Sequence, residues 1–136
     1  MIGILKGAFI VVSDLAKQLE LDVTFDFMSI KSYYGSESSG QVKIVKDLEY
    51  DITNKNVLIV EDIYDTGLTL KNLKKLLEAR NPKNIEIFCM FVKKEVAQDP
   101  IEINYSGFEI GPEFVVGYGL DYNGKYRELP YLGVLS

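Results

Sequence analysis

The chain contains no histidine and no tryptophan, and only one cysteine, Cys89. Without an imidazole, a histidine general base and the common His-bearing zinc sites are excluded; one cysteine builds neither a Cys-only metal site nor an internal disulfide. Acid–base chemistry therefore falls to carboxylates, lysine or tyrosine. Cys89 lies in the apolar run Ile85–Val92 and reads as a buried, inert thiol. No apolar run approaches the ~20 residues of a membrane span, and Met1–Lys6 lacks the layout of a signal peptide, so the sequence reads as cytoplasmic with no membrane partner. Positive charge is also short: 15 Lys and Arg stand against 20 Asp and Glu, for a net charge of −5. Binding to nucleic acid or anionic lipid needs a cationic face, so neither is expected, and an anionic ligand must be met locally.

What is present fits one globular domain: 136 residues, of which 47% are hydrophobic and 26% charged. Ile2–Leu5 reads as a strand, and Phe9, Val12, Leu15, Ala16 and Leu19 recur at helical spacing after the Lys6-Gly7 turn. The start is abrupt, a buried strand with no lead-in, which suggests an upstream segment. Val23–Ile30 reads as a second strand, and 31–40, rich in glycine, serine and tyrosine, as a flexible loop. Gln41–Lys46 alternates polar with apolar and returns from that loop as a hairpin strand. Val57–Val60 and Ile85–Val92 are continuous apolar runs, the pattern of parallel strands covered on both faces. Between them Leu68, Leu70, Leu73, Leu76 and Leu77 form a helix that Asn81-Pro82 stops. Strands alternating with helices predict an α/β fold, an open and mostly parallel twisted sheet flanked by helices, with ligands at the carboxyl ends of its strands. The functional loops should then follow Leu5, Val60 and Val92. From Ile101 onward short strands and turns suggest a small cap, dividing the single domain 1–136 into a core of residues 1–100 and a cap of 101–136.

The segment Val57–Leu70 places Glu61 and Asp62 at a strand end, then a small hydroxyl-rich turn, Asp65-Thr66-Gly67-Leu68-Thr69, at a helix start. Backbone N–H groups and the helix dipole can hold a phosphate at Thr66–Thr69, Gly67 lets the backbone come close, and both hydroxyls can donate. Glu61 and Asp62 can accept bonds from vicinal sugar hydroxyls or help place Mg²⁺. The plainer reading is that Asp65 or Thr66 caps a helix and the acids are a solvated strand end. The whole segment, four apolar residues, two acids, two further residues and Asp-Thr-Gly-x-Thr, resembles the phosphoribosyl pyrophosphate signature of type I phosphoribosyltransferases. Leu5-Lys6-Gly7-Ala8, Ser32-Tyr33, Lys93 and Phe114–Tyr122 occur in the order of the hypoxanthine-guanine branch, so the likeness spans nearly the whole chain.

That resemblance implies transfer of ribose 5-phosphate from phosphoribosyl pyrophosphate to hypoxanthine or guanine, with Mg²⁺, yielding IMP or GMP and pyrophosphate. It makes Asp65 the acid beside purine N7; Glu61 and Asp62 the ribose and metal pair; and Asp65, Thr66, Gly67, Leu68 and Thr69 the 5-phosphate loop. Leu5, Lys6 and Gly7 match the pyrophosphate loop, where the family often has a cis peptide before the lysine, and Arg127 matches an arginine that reaches pyrophosphate. Lys93 would donate to the oxygen at purine position 6, where adenine presents a donor instead. Tyr105 matches the aromatic that stacks on the base, with Ser106 offering backbone groups, and Ser32 and Tyr33 match the loop that closes over the site. Outside the resemblance, Lys6 and Arg127 read as surface cations and Tyr105 as packing; Lys94 should face solvent.

The chain departs from the family in two places. Where the family reads Phe-Glu-Ile-Pro-Asp, with the aspartate near a metal, Phe108–Glu113 puts Pro112 at the aligned position, leaving Glu113 as a candidate metal ligand after a local shift. The family's amino-terminal lead is missing, and apolar surface left bare there suggests a homo-oligomer, dimer or tetramer. Two alternatives stand beside the enzyme reading: a domain that senses phosphoribosyl pyrophosphate without catalysis, and a transferase that prefers xanthine.

Overall fold

The computed structural model describes residues 1–32, 41–96 and 100–136. Its strands are β1 (Ile2–Leu5), β2 (Asp26–Ser32), β3 (Val42–Lys46), β4 (Asn56–Tyr64), β5 (Asn84–Val92), β6 (Tyr105–Glu109), β7 (Val115–Val116) and β8 (Gly133–Val134), with helices α1 (Phe9–Gln18) and α2 (Leu68–Glu78). Six strands make one sheet in the order β3-β2-β1-β4-β5-β6, and β7 and β8 pair separately. Only β2 and β3 run antiparallel within the large sheet. This is the mostly parallel, helix-flanked sheet that the alternation of elements predicts.

The period of two along β4 explains its unbroken apolar run. Val57 and Ile59 pack with Ile87, Cys89 and the α2 leucines Leu70, Leu73 and Leu77. Val60 turns the other way, onto Ala8, Val11 and Val12 around α1, with Leu58 and Phe88 partly buried beside it. Each face thus has its own helix, and polar alternation has no place in the strand. Burial of each such side chain stabilises by about 1.5–3 kcal/mol, so the middle of the sheet is the rigid base for its edge.

The order of strands reverses beside β1, which has β2 on one side and β4 on the other. The crevice beyond the carboxyl ends of strands at such a point is where open α/β sheets bind ligands. Residues Lys6, Asp65 and Lys93, which follow β1, β4 and β5, therefore converge there. β6 closes the large sheet at the edge opposite β3 and is exposed along its length. Val115 of the small β7–β8 sheet and Leu120 in the turn after it cover the carboxyl half by packing on Phe91 and Ile63.

Candidate active site

β4 does not stop at Val60. Its ladder with β5 runs on through Glu61–Cys89, Ile63–Phe91 and Tyr64–Val92, so the loop expected after Val60 begins only beyond Tyr64. A paired edge on β5 outweighs the weak strand preference of two acids. Glu61 and Asp62 are consequently held by a strand, partly buried. Burial, and then the charge of Asp62, push the Glu61 carboxyl well above the usual carboxylate range. Burial raises Asp62 as well, against the Ile63 N–H that donates to its Oδ1 at 2.7 Å and the charge of Arg127. Two acids in this setting retain a proton more readily than they hold two charges. Two adjacent carboxyls whose charged forms are disfavoured in this way suit a cation or sugar hydroxyls.

After Tyr64 the chain turns into α2. The cap position falls on Gly67, at φ 87°, so neither Asp65 nor Thr66 is the helix cap and the first-turn N–H groups have no capping side chain. A left-handed cap of this kind is cheap only for glycine. Thr69, one residue into the helix, shares a hydrogen bond of 2.8 Å with Ser32, which ties the end of β2 to this turn. Tyr33 lies outside the described residues. Asp65 is half-exposed, with Oδ2 4.0 Å from Nζ of Lys93, itself a buried lysine immediately after β5. Lys94 instead faces solvent, paired with Glu109 at 2.9 Å.

On the β1 side, the Leu5–Lys6 peptide is cis. Gly7 lies so close under Asp62 that a β-carbon there would overlap the carboxylate, and Gly119 presses on the Gly7 carbonyl in the same way. Lys6 is exposed at the lip of this contact. Arg127 reaches the same place: Nη1 donates to the Gly119 carbonyl at 2.6 Å, and Nη2 is 3.3 Å from Asp121. Leu5, Lys6, Gly7, Arg127 and Asp62 thus belong to one neighbourhood, with Asp65 three residues beyond Asp62 in the chain.

Tyr105 and Ser106 do not join it. β6 runs parallel to β5 with Tyr105 opposite Phe88 and Ser106 opposite Cys89, so both lie well before the carboxyl end where Lys93 sits. The Tyr105 hydroxyl meets Glu86, which holds the phenol above its ordinary value. Glu113 is exposed with its carboxylate folded over Gly111. Among the described residues no three Asp, Glu, Cys or His side chains cluster to hold a metal, and Glu113 stands as an exposed carboxylate on its own segment of the chain. Sequence reasoning passed over two better-placed residues. Asp121 carries the carboxylate beside Arg127. Phe114, an exposed aromatic, immediately precedes Val115, whose side chain packs against Phe91 and Ile63 near the carboxyl ends of β5 and β4. The signal for both lay in Phe114–Tyr122, where an exposed aromatic and an acid flank a buried Val-Val.

A sheet that brings a phosphate-ready helix start, an acid pair and a basic loop to one switch point is the architecture of phosphoribosyl transfer. Residues 1–123 match the phosphoribosyl transferase domain, and the chain belongs to that family. Among its similar proteins, one from Staphylococcus aureus named hypoxanthine-guanine phosphoribosyltransferase is 48% identical over 136 residues, covering 99% of this chain and 76% of the relative. A crystal structure of a hypoxanthine phosphoribosyltransferase from Staphylococcus aureus matches at TM-score 0.95 and 47% identity over 99% of this chain and 74% of the other. The hypoxanthine-guanine phosphoribosyltransferase of Bacillus anthracis matches at TM-score 0.93 and 42% identity over 99% and 80%.

Proposed function

We infer that the chain is a purine-salvage transferase that joins hypoxanthine or guanine to the ribose 5-phosphate of phosphoribosyl pyrophosphate, giving IMP or GMP and releasing pyrophosphate. The observation that carries this reading is the Lys93–Asp65 pair, 4.0 Å apart at the ends of adjacent strands. A 6-oxopurine presents two acceptors, O6 and N7, on one edge, whereas adenine offers a donor at position 6. Lys93 donates to O6, and Asp65 takes or returns the proton at N7 as N9 attacks the anomeric carbon and the bond to pyrophosphate breaks. A site built around such a bond rejects adenine strongly, because its buried ammonium would face another donor. A site that serves only to sense the sugar phosphate has no need of this base-edge pair.

The remaining roles follow from position. Thr66, Gly67, Leu68 and Thr69 hold the 5-phosphate at the open helix start. Lys6, Gly7 and Arg127 meet pyrophosphate, the guanidinium offering a fork suited to it. Phe114 is our choice for the aromatic face that stacks on the base, in place of Tyr105. Glu61 and Asp62 accept from the ribose hydroxyls and would hold Mg²⁺; two carboxylates completed by substrate oxygens are a common donor set for that ion. When bound, Mg²⁺ neutralises charge on the departing pyrophosphate. Among the described residues no helix is long and apolar enough to cross a membrane, and we place the enzyme in the cytoplasm as a homo-oligomer, with Phe108, Tyr131 and Val134 as exposed apolar surface for self-association.

Pyrophosphate release from phosphoribosyl pyrophosphate and Mg²⁺, compared across hypoxanthine, guanine, xanthine, adenine and no base, tests the reading. Release with hypoxanthine or guanine and not with adenine is expected. Release with xanthine alone would change the acceptor, and no release with any base would make the chain a sensor.

A further inference from the structure

The turn at 117–120 has an unusual backbone for what it does. Gly117, Tyr118 and Gly119 all have positive φ, at 96°, 50° and 99°. Glycine takes such angles freely, but a tyrosine holds one only where the surroundings enforce it. The consequence of the turn is the close approach of Gly119 to the Gly7 carbonyl, with Asp62 on the other side of Gly7. The backbone of the pyrophosphate loop is therefore sandwiched between an acid of β4 and a turn of the cap.

Within the cap, the turn is tied by Tyr118 N–H to the Leu129 carbonyl at 2.9 Å and by Gly119 N–H to that of Arg127 at 3.0 Å. Those bonds fix its shape but not its distance from the loop. A third bond does cross the gap: the Tyr118 hydroxyl donates to Asp14 Oδ2 at 2.5 Å, joining residues 104 positions apart. Asp14 sits on α1, the helix that begins directly after the Lys6–Ala8 turn. The Tyr118 ring meets Phe91 edge-on at 6.2 Å, but it also borders a cavity of about 460 Å³ lined by Met90, Phe108, Ile110 and Leu132. Packing alone thus leaves the ring room to move.

We propose that Tyr118 is a positioning residue for the pyrophosphate half of the substrate: its bond to Asp14 latches the 117–120 turn onto the Lys6–Gly7 loop and sets Arg127 beside it. The inference rests on the transferase reading above. Burial and the Asp14 bond push the phenol up to about 12, so the hydroxyl remains a donor at any working pH. Lys17, 3.5 Å from Asp14 on the exposed face of α1, is the other charged neighbour and takes no part in the latch.

Steady-state kinetics on Tyr118→Phe, Asp14→Ala and the double variant test this, after wild-type release of pyrophosphate has established the reaction. Each single variant should raise KM for phosphoribosyl pyrophosphate and weaken inhibition by pyrophosphate about tenfold, because small misplacement of a binding loop is costly. KM for the base should stay within about twofold, and the double variant should be no worse than the singles. Asp14→Asn, whose amide oxygen still accepts from the phenol, should restore most of the loss, while Lys17→Ala changes nothing. Parallel loss for sugar and base, or a shift in melting temperature with unchanged constants, overturns the latch. Should the wild type release no pyrophosphate, the transferase reading fails, and calorimetric binding of pyrophosphate to wild type and Tyr118→Phe decides the latch alone: equal affinities sink it.

Discussion

The two halves of β4 contrast within one strand. Val57–Val60 is covered by a helix on each face and surrounded by Leu73, Leu77, Ile87 and Cys89, all fully buried. Glu61–Tyr64 keeps the same pairing to β5 but carries two acids whose charged forms burial disfavours. The first half stabilises the protein; the second half costs stability and, in the function proposed above, serves the chemistry. A strand that ended at Val60 would be the safer fold, yet it could not hold Glu61 and Asp62 at fixed distance from Gly7. Rigidity is borrowed from the apolar half and used at the polar one.

The largest expected effect lies just past the polar half. Asp65→Asn keeps the shape of the turn but cannot exchange a proton with N7, so turnover should fall by about 10²–10⁴-fold. Equilibrium binding of the sugar pyrophosphate should survive, since Thr66–Thr69 are untouched. Single-turnover rates with hypoxanthine, set beside that binding, check the division; unchanged turnover would remove Asp65 from the chemistry. Next comes the opposite perturbation. Leu73→Ala empties a fully buried position under the apolar half and should cost about 2–5 kcal/mol by denaturant unfolding, with turnover per folded molecule little altered. Loss of turnover in step with stability would mean that the two halves are not separable.

Much of this division was legible beforehand, and the exceptions have physical causes. The leucines of α2 and the apolar runs of β4 and β5 follow local periodicity, so the mostly parallel, helix-flanked sheet could be read from single segments. The turn at the start of α2 could be read too, because Gly67 and its hydroxyl neighbours act locally. The continuation of β4 through Glu61 and Asp62 could not, since it depends on the partner edge that β5 offers from far along the chain. Tyr105 was misplaced for the same reason. Its position depends on the register of β6 against β5, and no periodicity within Tyr105–Glu109 sets that register. Likewise Asp121 and Arg127 meet only because the cap doubles back after Gly119, a path set by left-handed turns rather than by apolar spacing.

The smallest effect is the sharpest test of the contrast, because its sign is opposite to that of most substitutions. The Glu61 carboxyl has a folded-state pKa raised above its unfolded value, first by burial and then by Asp62. The folded state therefore binds more protons than the unfolded one in the window between the two, and stability falls as pH rises through it, from about 4.3 upward. Glu61→Gln removes that titration and should raise the melting temperature at neutral pH while flattening its decline from acid to neutral. The same variant should weaken Mg²⁺-dependent binding of the sugar pyrophosphate, which needs the charge. Mg²⁺ together with the sugar pyrophosphate should stabilise the wild type more than the variant, since ligands that bind only the folded state add their binding free energy to its stability. Melting curves across pH, with and without the ion and substrate, read all of this at once. A variant less stable than wild type at neutral pH would show that Glu61 supports the strand, and the polar half of β4 would then be part of the scaffold rather than a load upon it.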